Sequence, residues 1–175
     1  MLKRMGTALV FALACIFSVS GCLLGGGGTP ATNKPQSSPG VGTDGGMQFN
    51  VTGITTASAF GNGFMSSTAK GVYVVVSMTV KNISSNATGS ISDLNSDVLI
   101  DSTGRQYGSD FGAAMNISDS STGTLQPGSW APFQEAFDVA SGTTPSAIVM
   151  HGGIGTSGVK ISLASFSPSP VATGQ

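Results

Sequence analysis

The most regular pattern in the 175-residue sequence is the alternation from Val72 to Lys81. Val72, Val74, Val76, Met78 and Val80 fall on one face, and Tyr73, Val75, Ser77, Thr79 and Lys81 on the other. A period of two over ten residues predicts a β-strand with one face entering a core. Shorter apolar runs predict further strands over 48–54, 97–101, 105–107, 130–139, 146–151 and 159–163. Turn residues at Asn82, Ser102-Thr103-Gly104, Pro127-Gly128 and Ser141-Gly142 separate them. No helix-period segment of useful length interrupts the series, so the predicted fold class is all-β, an antiparallel sandwich.

A different pattern stands at the N-terminus. Lys3 and Arg4 precede a 16-residue apolar run, Met5 to Ser20, which closes in Val19-Ser20-Gly21-Cys22. A charged start, a short apolar stretch and small residues at its end read as a secretory signal. The run is shorter than the about 20 residues a membrane-crossing helix needs. Val19 to Cys22 resembles the bacterial lipobox, which implies lipidation of Cys22 and a signal peptide over 1–21. The implied partner is a membrane, bound through a lipid anchor at Cys22 on the extracytoplasmic side of the cell envelope. Cys15 would leave with the signal, so no cysteine would remain for a disulfide, a thiolate metal site or a nucleophile.

Residues 22–46 are rich in Gly, Pro, Ser and Thr without hydrophobic period, and read as a lipidated Cys followed by a flexible linker. Residues 47–166 are expected to form one sandwich domain, and 167–175 a disordered tail. The Gly25 to Gly28 run lacks the flanking strand, the helix and the Gly-Lys-Ser/Thr ending of a phosphate loop.

Composition narrows the chemistry. Gly, Ser and Thr number 26, 26 and 17, which favours strands and turns over helices. There is one His and one Glu in the whole chain. From Cys22 onward five basic groups face eight acidic ones, a formal net charge of −3 that disfavours nucleic acid as a partner.

From Gly71 to about Leu163 the chain resembles a family of bacterial secreted and lipid-anchored domains of unknown function. The resemblance rests on Tyr73 to Ser84, Val98-Leu99-Ile100-Asp101 with Ser102-Thr103-Gly104 and Tyr107, Leu125-Gln126-Pro127-Gly128-Ser129, and Phe133 to Val139. Ala140 stands where family members often carry proline. The resemblance implies an immunoglobulin-like, telokin-like sandwich, the fold of the mycobacterial immunoprotective extracellular antigen, and it carries over no catalytic residue. Locally, Asn82 suits an Asx-turn at a strand end, Gly104 a positive φ, and Pro127-Gly128 a tight turn.

Candidate sites are few. Gly153 to Gly158 matches a dinucleotide fingerprint in letters, but the following Val159 to Leu163 is strand-like, so a hairpin loop is expected and no cofactor is called for. His151 would have to serve any Ser-His-Asp hydrolase or metal-assisted enzyme, and no Gly-x-Ser-x-Gly elbow accompanies it. Asp93, Asn95 and Asp97 copy the first ligand positions of a calcium loop, with Asp101 nearby and Asp110 or Asp119 as further candidates. Val98 replaces the loop glycine and Gly104 the final Glu, so solvated loop acids are the plainer expectation. Asn-x-Ser/Thr triplets at Asn50, Asn82, Asn86 and Asn116 are expected in a Ser/Thr-rich chain and, beside a lipobox, do not imply glycosylation.

Trp130, Phe133, Tyr73 and Tyr107 would form a sugar-stacking surface if they face outward; Phe133 and Phe137 are expected in the core, and Trp130 is the candidate partner-facing aromatic. Together these features predict a non-enzymatic, lipid-anchored module that meets a protein or glycan outside the cytoplasm. The competing expectations are a surface hydrolase using His151 and a periplasmic ligand carrier with an apolar pocket.

Overall fold

The computed structural model describes residues 39–61, 66–90, 97–117 and 123–171. The signal, Cys22 and most of the expected linker lie outside the described residues, as do Asp93, Asn95 and Asp119.

Eleven strands and one short helix are described: β1 (Val41–Asp44), β2 (Met47–Phe60), β3 (Ser67–Asn82), β4 (Gly89–Ser90), β5 (Val98–Asp101), β6 (Gln106–Gly108), α1 (Phe111–Ala114), β7 (Thr124–Leu125), β8 (Trp130–Val139), β9 (Pro145–Met150), β10 (Val159–Ser162) and β11 (Ser169–Pro170). The larger sheet runs β1-β2-β3-β8, with β11 added to β2, and the smaller runs β10-β9-β5-β6. Pairing is antiparallel except at β11. The two sheets form an immunoglobulin-like β-sandwich.

The long alternation sets this arrangement. Val74, Val76, Met78 and Val80 of β3 enter the core beside Phe49 and Ile54 of β2 and Phe133 and Phe137 of β8. Leu99, Ile148, Met150 and Ile161 close it from the smaller sheet. Burying such side chains contributes roughly 1.5–3 kcal/mol each.

The opposite face of β3 is not uniformly solvated, contrary to the simplest reading of its pattern. Tyr73 and Val75 are buried against Ala136, Ala113 and Ile117, because α1 and the residues after it cover this half of the outer face. Asp110 caps α1, its Oδ1 accepting from Ala113 N at 2.8 Å. Among the described residues no helix covers the other half, around Ser77, Thr79 and Lys81.

Ordered structure begins earlier and ends later than the chemistry of the chain suggests. β1 lies within the expected linker and pairs with Met47 to Asn50 of β2 across Gly45 and Gly46, both at positive φ. Two such residues make the tight turn that matches strand twist. β11 lies within the expected tail. β1 covers only one end of β2, and Ser169 and Pro170 pair farther along the edge, at Thr55 and Thr56. An edge tolerates Pro170 because one side of the strand needs no donor.

Candidate functional site

Two groupings of side chains merit functional scrutiny, one between the sheets and one on the outer face.

The inner grouping is built on Glu135. In β8 the residues Phe133, Glu135 and Phe137 share the inward parity, so the only Glu of the chain points into the core at 5% exposure. Asp97, immediately before β5, is 1% exposed and meets it from the smaller sheet. Asp97 Oδ1 accepts from the backbone N of His151 at 2.8 Å and lies 3.2 Å from His151 Nδ1. His151 closes β9, and its Nε2 edge packs against Gly158, where a Cβ would come within 2.6 Å.

Asp97 Oδ2 and Glu135 Oε2 have no donor partner among the described residues. The two carboxyls stand within hydrogen-bonding reach of each other, so a proton kept on one supplies the donor that the other lacks. Burial pushes Asp97 up to about 6, against the lowering effect of the His151 hydrogen bonds. Burial, then the charge of Asp97, pushes Glu135 well above the usual carboxylate range, while a bond from Ser109 opposes the shift. Both shifts favour a proton shared by this acid pair, which joins the two sheets.

That geometry revises two expectations. Asp97 is a buried partner of His151 and not a solvated loop acid, because β5 turns it inward with Leu99. Asp97 and Asp101, two of the described calcium candidates, stand at opposite ends of β5 with separate duties. Asp101 Oδ1 accepts from Thr103 N, Thr103 Oγ1 and Arg105 N, at 2.8, 2.7 and 2.9 Å, and these bonds, Thr103 foremost, lower its pKa. Asp110 is occupied as the cap of α1. Among the described residues no three His, Cys, Asp or Glu side chains are arranged to hold a metal ion.

For His151, no side-chain hydroxyl hydrogen-bonds the imidazole among the described residues. The Gly153 to Gly158 segment joins antiparallel β9 and β10 as a hairpin loop, as expected.

The outer grouping is built on Trp130. Pro127 and Gly128 make a turn closed by Ser129 N donating to Gln126 O at 2.9 Å, with Gly128 at φ +80° as the third residue of such a turn requires. Gly128 N then donates to Asn82 O and Asn82 N to Ser129 O, which pins the start of β8 beside the end of β3. This register sets Trp130 opposite Lys81 with its side chain outward, 64% exposed.

Lys81 in turn stands opposite Gln48, and the next outward row is Val41, Asn50, Thr79 and Pro132. Val41, Gln48, Asn50, Thr79, Lys81 and Trp130 line an open depression of about 490 Å³. Among the described residues, the side chains of Gln48, Asn50, Thr79 and Lys81 make no hydrogen bond or ion pair within the domain. Trp130 is a candidate from the sequence; Gln48, Asn50 and Val41 are not, since they become its neighbours only through strand register.

The fold and these surfaces define an immunoglobulin-like sandwich domain with a buried acid pair and an open face around Trp130. The chain belongs to the family described as domain of unknown function DUF4352, whose model matches residues 41–161. The family match starts at β1, thirty residues before the stretch that carries the resemblance in the sequence. The chain is also similar to MPT63, a secreted protein from Mycobacterium tuberculosis, with 19% identity over 66% of this chain and 82% of that one and a TM-score of 0.49. No curated protein matches the chain at a significant level.

Proposed function

We propose that the protein is a non-enzymatic binding module, held by lipid at Cys22 on the extracytoplasmic side of a bacterial membrane, which meets its partner through the Trp130 face. The carrying observation is the contrast between the two groupings. His151 Nε2, the edge a hydrolase would turn to its nucleophile, packs against Gly158 and meets no hydroxyl among the described residues. Trp130 is two-thirds exposed beside polar side chains that have no partner among the described residues. An exposed aromatic so placed is what a recognition surface spends its solvation on.

The anchor rests on the lipobox-like Val19-Ser20-Gly21-Cys22, and no described helix is long and apolar enough to cross a membrane. A ligand carrier would need an enclosed apolar pocket, and the depression at Trp130 is open.

The test has two arms. A fatty-acid analogue supplied to cells should label the full chain, and Cys22→Ala should abolish the label. Detergent-solubilised chain should be retained on isolated cell-envelope fragments, with retention falling about tenfold in Trp130→Ala and unchanged in His151→Ala. Equal retention of Trp130→Ala, or a loss confined to His151→Ala, would overturn the reading.

A further inference from the structure

We infer that the Trp130 face binds a glycan, a chain of pyranose sugars lying across the outer surface of the larger sheet. This deepens the binding-module reading and rests on it. The indole offers a flat apolar surface on which the C–H face of a pyranose ring can stack, and its neighbours offer what the rim of such a ring needs. Gln48 and Asn50 each present an amide that can donate and accept, and Thr79 presents a hydroxyl that does both. None of the three uses its side chain inside the domain among the described residues.

The dimensions agree. Trp130 on β8 and Gln48 on β2 are separated by one intervening strand, β3, so the row spans about 10 Å, the length of a disaccharide. The platform is fixed by three paired strands and not by loops, so little ordering is needed when a ligand lies down.

Lys81 sits between Trp130 and Gln48 in the same row, with no acidic partner among the described residues. An ammonium at the middle of the platform favours sugars that carry a carboxylate.

A protein partner fits less well. A stable protein interface buries about 800 Å² a side around several large anchors. Here the large apolar side chains are Trp130 and, one row beyond, the half-exposed Ile83. Phe111 and Met115, exposed on and just after α1, lie over the Tyr73 and Val75 end of the face, six residues along β3 or about 20 Å away. One lysine is too little for nucleic acid.

Trp130 is the only tryptophan of the chain, so tryptophan emission, excited at wavelengths that tyrosine does not absorb, reads this face alone. The full chain in detergent micelles is titrated with oligogalacturonate, hyaluronate fragments, cello-oligosaccharide and chito-oligosaccharide. A saturable change in emission is expected with at least one, with the apparent Kd raised about tenfold by Gln48→Ala or Asn50→Ala. The acidic probes should bind several-fold tighter than the neutral ones, an advantage that Lys81→Ala removes and salt weakens. Both amide positions are on the surface, so these variants should fold.

Emission unmoved by all four probes at millimolar concentration overturns the glycan assignment. If, in that case, envelope retention still depends on Trp130 and is abolished by protease treatment of the fragments, the partner is a protein and the binding-module reading stands. If Trp130→Ala is retained as well as wild type, both readings fall.

Discussion

Glu135 shows what one residue can impose on this fold. At inward parity between Phe133 and Phe137 it must share a dry space with Asp97, and the cheapest state of the pair holds a proton. In the unfolded chain both acids titrate near their ordinary values, about 4. Below that pH folded and unfolded states are equally protonated at these sites, and the stability they allow is fully present. As pH rises through about 6, where Asp97 titrates in the fold, the core must accept charge, and stability is lost. Asp101 has the opposite sign, since its lowered pKa withdraws stability only as pH falls below the ordinary carboxylate range. Between pH 5 and 8 the buried pair therefore dominates.

Thermal unfolding should show the melting temperature falling from pH 5 to 8, a loss on the order of 2 kcal/mol. Glu135→Gln should flatten that slope and raise stability at pH 8. A wild-type melting temperature that climbs over this interval, or an unchanged slope in the variant, would refute the protonated pair. The inward position of Glu135 was legible in principle, since residues 133, 135, 137 and 139 share one parity. The pair was not, because Asp97 reaches Glu135 from the other sheet and no sequence spacing encodes contact across a sandwich.

At the scale of elements, β3 and β8 are written in their own alternation, and β8 begins and ends where its pattern does. β1 and β11 are not. Val41-Gly42-Thr43-Asp44 has one large apolar residue, and it forms a strand because β2 offers an unpaired edge and Gly45-Gly46 folds it back. Gly42 then allows β1 to approach the smaller sheet, where a Cβ would meet Ile161 and Val159 at 2.7 and 2.9 Å.

β4 and β7 are two residues each and depend on an outside support. Asn82 provides it, 1% exposed at the end of β3. Its Nδ2 donates to Ala87 O and Leu125 O at 2.9 and 2.8 Å, and its Oδ1 accepts from Ser84 N at 2.9 Å, the Asx-turn expected from sequence. Asn82→Ala should cost about 2–3 kcal/mol by orphaning these groups. Hydrogen exchange should locate the loss, with amides over 84–90 and 124–125 exchanging at least tenfold faster while the centre of β3 changes little. Uniform acceleration across both sheets would mean that Asn82 supports the whole sandwich instead.

For the whole molecule, the position of β1 brings Cys22, the proposed anchor, and the Trp130 face close along the chain. Val41 both opens the first strand and lines the Trp130 depression. Gly40 is already buried, its O accepting from Val51 N at 2.7 Å, so no more than residues 23–38 lie between Cys22 and the described domain, a reach of at most about 58 Å were they fully extended. On the proposed reading, a face tethered at that reach can engage only material near its own membrane, and anchoring raises the effective concentration of both. Anchoring and recognition then become separable by mutation. Cys22→Ala should move the protein from the membrane fraction to the soluble one while leaving Trp130 emission and the response to oligosaccharide unchanged. Trp130→Ala should stay in the membrane fraction and lose envelope crosslinks beyond it. If Cys22→Ala remains with the membrane in detergent-free fractionation, the lipid is not the anchor, and the apolar run from Met5 to Ser20 would have to be retained as one.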